Sequence, residues 1–173
     1  MTTEPIVESG MKFGPYPEGC CFYIEKSKTY QKIKKDGVKI AEFLLLRSQD
    51  EPKVWIIEAK TGTPHPGNQP TFNDFIGEIR EKFANTLILS IATCLKRHPT
   101  CEELPNFFKM LDLKEVSFRL ILVIKGHPEG WLPQLQDTLQ KALKPTVKTW
   151  GLHSSSVVVL NEAMAKEKGL ILM

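Results

Sequence analysis

Residues 53–60 read KVWIIEAK. Val54 to Ile57 are β-branched or aromatic, which favours an extended chain. Strand side chains alternate between faces, so Val54, Ile56, Glu58 and Lys60 share one face and Trp55, Ile57 and Ala59 the other. Both faces are apolar at the start, as in an interior strand. The far end sets an acid beside a base, just where the chain must leave the sheet. The next stretch, TGTPHPGNQP at 61–70, carries three prolines and two glycines and holds no regular structure.

Working upstream, residues 38–47 are nearly continuously apolar and predict a second strand, joined to the first by a tight connection at 49–52. Within it Ile40, Glu42, Leu44 and Leu46 fall on one face, leaving Glu42 as a carboxylate in an apolar row. A buried, unpaired carboxylate costs several kcal/mol, so Glu42 needs a partner or a functional opening. If the two strands pair antiparallel, Glu42 and Glu58 lie at comparable distances from the turn and approach each other. Residues 20–27, CCFYIEKS, predict a third strand, followed by a turn or short helix ending near Asp36-Gly37. Short connections make these three strands an antiparallel meander. Residues 1–18 read as an irregular lead-in.

Downstream the period changes. Phe72, Phe75, Ile76, Ile79, Phe83 and Leu87 recur at helical spacing and predict a helix over 71–96, with Thr71 as N-cap. A shorter helical piece is expected over 102–111. A buried strand follows over 116–125, then an amphipathic helix over 131–143 that stops at Lys144-Pro145. A short strand at 157–160 leads to a last helix capped by Asn161 and stopped by Gly169. The order is β-β-β-α-(α)-β-α-β-α. Strands alternating with helices require crossovers, hence an α/β chain with a central mixed sheet flanked by helices. Its 173 residues suit one domain.

Composition narrows the class. Hydrophobic residues make up 42%, enough for a core and too many for a disordered chain. The longest apolar run, Leu120 to Ile124, is far short of a membrane span, and no secretory signal opens the chain. Cys20, Cys21, Cys94 and Cys101 do not form a disulfide framework; they read as reduced thiols of a cytoplasmic protein. Cys94, His98 and Cys101 have a loosely zinc-like spacing, for which a helix cysteine and loop residues are the plainer account. The net charge of +3 does not by itself argue for nucleic acid. Lys26, Lys28, Lys32, Lys34, Lys35 and Lys39 are crowded, however, and can meet phosphates or simply form a solvated edge.

Two carboxylates close together repel, and a divalent cation between them removes that cost. Oxygen ligands at a water-accessible site favour Mg²⁺ or Mn²⁺, and an adjacent lysine can orient water or steady a developing phosphorane. An acid on one strand, Glu-x-Lys on the next, then a long helix and further α/β elements resembles the PD-(D/E)XK (restriction-endonuclease-like) nuclease superfamily. The resemblance covers roughly residues 20–161, with its specific part in three residues. It implies a restriction-endonuclease-like core and Mg²⁺-dependent hydrolysis of a phosphodiester in nucleic acid, DNA foremost. It implies Glu42 and Glu58 as metal-binding acids, the Ala59 carbonyl as a further ligand, and Lys60 as the lysine of the motif. Pairing into a homodimer is frequent among such enzymes. Glu42 stands where the superfamily usually has Asp, and the Pro-Asp dipeptide is absent. The alternative is a catalytically inactive nuclease-like fold that serves as a binding or scaffold protein, with Glu42 and Lys60, or Glu58 and Lys60, an ordinary salt bridge closing the end of the sheet. Glu25 is a candidate to join the acids or to pair a nearby lysine. Glu78, Glu81 and Lys82 could border the site or face solvent, and His65 lies in the loop that follows.

Overall fold

The computed structural model describes residues 1–172. In chain order the strands are β1 (Ile6–Glu8), β2 (Met11–Phe13), β3 (Cys21–Phe22), β4 (Phe43–Ser48), β5 (Lys53–Lys60), β6 (Ser117–Ile124) and β7 (Val157–Asn161). The helices are α1 (Lys28–Lys34), α2 (Thr71–Cys94), α3 (Asn106–Lys109), α4 (Leu132–Thr149) and α5 (Glu162–Glu167). Five strands form one mixed sheet in the order β3-β4-β5-β6-β7. β3, β4 and β5 run antiparallel; β6 and β7 join parallel to β5 through crossovers carrying α2 and α4. The expected α/β class and mixed sheet hold.

The sheet is buried on both faces, as the runs in β5 and β6 required. On one face Leu44, Ile56, Leu120 and Leu122 pack against α2 and α4 through Ile79, Phe83, Leu87, Leu135 and Leu139. On the other, Phe43, Ile57, Ala59, Ile121 and Val123 are covered by α5 and by the β1–β2 hairpin through Ile6, Met11 and Phe13.

That hairpin corrects the reading of residues 1–18 as irregular. Ser9 and Gly10 take positive φ of 50° and 71°, a two-residue turn that suits an antiparallel pair. Other boundaries move for local reasons. β3 is only two residues long, because Ile24–Lys26 closes into a 3₁₀ turn. The second strand starts at Phe43, not at residue 38: the Ala41 N–H bonds to Thr86 Oγ1 of α2 at 2.8 Å and the Lys39 carbonyl accepts from Asn85 Nδ2 at 3.0 Å, so residues 39–41 dock on the helix. α2 is entered from Pro70 with no side-chain cap, and Thr71 is its first residue. Residues 101–109 divide into a 3₁₀ turn and α3. α4 continues through Pro145 to Thr149; a proline near the end of a helix forfeits one bond, while Val147 beyond it is buried in the core. Asn161 caps α5 as expected, accepting from the Met164 N–H at 2.9 Å, and Gly169 ends the segment at φ 69°.

Candidate active site at the end of β5

The C-terminal end of β5 meets α2 through Glu58 and Lys60 and the hairpin tip through Ala59. Alternation puts Glu58 and Lys60 on the α2 side. Glu58 has no exposed surface at all. Its Oε1 receives Lys82 Nζ at 2.7 Å and Lys60 Nζ at 3.5 Å, and Lys60 also reaches Glu78 at 2.9 Å. Lys82 and Glu78 lie on α2 one helical turn apart, which turns them toward the same strand end. Glu58 Oε2 is buried with no hydrogen-bond partner. Burial pushes the Glu58 pKa up against the pull of the two lysines. Burial works hardest, to lower Lys82, but the Glu58 charge and hydrogen bond together with the Glu42 and Glu78 charges outweigh it and the net shift is upward. The Lys60 hydrogen bond holds Glu78 below the usual carboxylate value.

Glu42 sits in the bend just before β4, its N–H on the Ile57 carbonyl at 3.0 Å and its carbonyl on the Glu25 N–H at 3.2 Å. These backbone bonds deliver its side chain to two other acids. Carboxylate oxygens of Glu8, Glu25 and Glu42 lie within 4.8 Å of one another. Burial is the main reason that the Glu42 pKa is pushed up to about 9, followed by a hydrogen bond with Glu25 and by the Glu58 charge. Glu42 therefore holds a proton at neutral pH.

Glu8 reaches the cluster because the hairpin tip is tied down beside it. The Ser9 hydroxyl donates to the Ala59 carbonyl at 2.9 Å, Lys125 Nζ donates to the Gly10 carbonyl at 2.9 Å, and the Tyr23 hydroxyl bonds to Glu8 itself. The Ala59 carbonyl thus already has a protein partner. Lys60 and Lys82 thus contact Glu58 and Glu78, while Glu8, Glu25 and Glu42 gather beside one another.

No family model, curated protein or solved structure matches the chain. The chemistry therefore rests on the residues themselves.

The structure brings Glu42, Glu58 and Lys60 to one end of the sheet, with Glu25, Glu78 and Lys82 joining them. The acids that actually cluster are Glu42, Glu25 and Glu8, while Glu58 is held apart by its lysines. Glu8 escaped the sequence reading; the Ser9-Gly10 turn dipeptide was the signal that could have found it. Lys26, Lys28, Lys32, Lys34, Lys35 and Lys39 are exposed on and around α1. Glu81 faces solvent. Cys94, His98 and Cys101 do not converge into a metal-binding group among the described residues, and the four cysteines are free.

Proposed function

We propose that this protein is a divalent-metal-dependent phosphodiester hydrolase of the PD-(D/E)XK type acting on nucleic acid. One observation carries the reading: Glu58 is wholly buried, one carboxylate oxygen is taken by two lysines and the other has no partner, while Glu42 lies buried in a cluster with Glu25 and Glu8. Such an arrangement is unfavourable alone and fits a hard cation with oxygen ligands, Mg²⁺ or Mn²⁺. The order β3-β4-β5 antiparallel, then α2 and a parallel β6, also agrees with what the resemblance implies.

Glu42 and Glu58 would hold the metal, with Glu25 and Glu8 as further carboxylates; the Ala59 carbonyl would share its oxygen with Ser9. When bound, the metal would lower the pKa of a water and neutralise the scissile phosphate. Lys60, held between Glu58 and Glu78, supplies a positive charge next to the reacting phosphate. Lys82 holds Glu58 in one orientation and screens its charge. The excess of acids over lysines must be relieved before a polyanion can approach. The lysines around α1 would meet the backbone, so that binding weakens as salt rises.

The test has two arms. Mn²⁺ should raise the melting temperature, because a ligand of the native state alone stabilises it, and Glu58→Gln should abolish the rise. Metal-dependent cleavage of single- and double-stranded DNA and RNA should be lost in Glu58→Ala and Lys60→Ala, with the fold intact by circular dichroism. Cleavage that survives both substitutions places the site elsewhere. The contacts of Glu58 with Lys82 and Lys60 favour a second reading, an inactive fold that keeps a structural ion pair. It requires that Mn²⁺ leave the melting temperature unchanged.

A further inference from the structure

Two loops leave the sheet side by side at the end that carries Lys60. The loop of residues 61–70 follows β5, and residues 125–131 follow β6. They are joined at their roots: the Lys125 N–H bonds to the Lys60 carbonyl at 2.9 Å and the Gly126 N–H to the Thr61 carbonyl at 3.0 Å. In open α/β sheets, ligands gather at such carboxyl ends of parallel strands.

The loops meet through three aromatic rings. His65 and Trp131 lie 4.8 Å apart between ring centres, at 87° to each other. His127 lies 5.8 Å from Trp131, at 75°. The three are graded in exposure: His127 is buried, Trp131 half-buried, His65 exposed. His127 is the fixed base of the group, with its Nδ1 3.3 Å from Thr63 Oγ1. His65 is oriented by its own loop, since its Nδ1 accepts the Gly67 N–H at 3.0 Å and the Asn68 N–H bonds to its carbonyl at 2.8 Å. With Nδ1 occupied as an acceptor, Nε2 is the ring nitrogen left to donate. Packing alone explains His127 and half of Trp131; it gives no reason to order an exposed histidine against the tryptophan.

We propose that His65 and Trp131 form a stacking corner for an unpaired nucleobase, so that the substrate is single-stranded or locally unpaired nucleic acid. The corner rests on the nucleic-acid reading above and names the substrate class for that same site. Two rings at right angles let a base lie flat on one and meet the other with its edge. A base inside an intact duplex has both faces covered by its neighbours and cannot enter without being unstacked. Stacking is tolerant of sequence because every base has a π-face. Lys60 stands at the root of the same loops, its carbonyl bonded to the Lys125 N–H.

The experiment measures binding in EDTA, so it does not depend on cleavage. Anisotropy of labelled oligomers compares a thymidine strand, an abasic strand of equal length and charge, and a blunt duplex. The thymidine strand should bind best and should quench Trp131 fluorescence in a Trp55→Phe/Trp150→Phe protein. His65→Ala should weaken thymidine-strand binding roughly tenfold, within the range for one stacked base. It should leave abasic-strand binding and the melting temperature unchanged, and His65→Phe should restore affinity. Equal binding of the thymidine and abasic strands, or a His65→Ala protein with full affinity, overturns the corner and leaves the nucleic-acid reading standing. If no oligomer binds at low salt, both fall.

Discussion

Glu42→Gln tests the electrostatics of the site most directly. The ordinary carboxyl pKa is 4.5, and in the folded protein Glu42 is pushed up to about 9. The native state thus keeps a proton that the unfolded chain releases. A raised folded pKa stabilises fully below the unfolded value and loses its contribution as pH rises toward the folded one. At about 1.4 kcal/mol per pH unit, this one group removes about 4 kcal/mol between pH 5 and pH 8, and the loss levels off above pH 9. Glutamine resembles the protonated acid, can still donate to Glu25, and does not titrate. Urea melts in EDTA should show wild-type stability falling with pH and the Glu42→Gln protein flatter by that amount, hence the more stable of the two at pH 8. With Mn²⁺ the order should reverse at pH 8, since metal binding must displace the proton and glutamine is a poor ligand. Parallel pH profiles for the two proteins in EDTA would refute the reasoning.

Three further outcomes follow from the same contacts. Lys82→Met leaves the fully buried Glu58 with only the longer Lys60 contact and should cost about 3 kcal/mol at pH 8; in a Glu58→Gln background the same change should cost far less, as a double-mutant cycle by urea melts would show. Thr86→Val removes the acceptor of the buried Ala41 N–H and should cost about 1–3 kcal/mol in the same melts. Ser9→Ala should cost about 1 kcal/mol and selectively speed hydrogen exchange in β1 and β2, with β5 and β6 still protected.

Much of the sheet could be read from strings such as VWIIEAK and FRLILVI, because strands buried on both faces advertise themselves without reference to partners. Helix α2 was equally legible from its stripe of Phe72, Ile79 and Phe83. What failed was set by contacts distant in sequence. Residues 38–42 look like strand, yet the Ala41 N–H is taken by a threonine 45 positions away. β1 and β2 are three residues each, too short to show a period. The site divides the same way. Glu58 and Lys60 share a face by alternation alone, and Glu42 was conspicuous for its apolar setting. Glu8 joins them only through tertiary docking, and Glu58 turns to Lys82 because α2 crosses that strand end. His65 was visible only as a loop histidine until Trp131 was seen beside it.

The hairpin that carries Glu8 is fastened at its base to the other end of the chain. The Gly14 N–H and the Tyr16 hydroxyl both bond to the Leu170 carbonyl, at 3.0 and 2.8 Å, and Phe13 bridges to Ile171. The Tyr16–Leu170 contact thus spans 154 positions of the chain. Such distant contacts form late, since the intervening chain must be ordered before they are rewarded. The placement of Glu8 in the acid cluster thus belongs with the slow, long-range contacts of the fold.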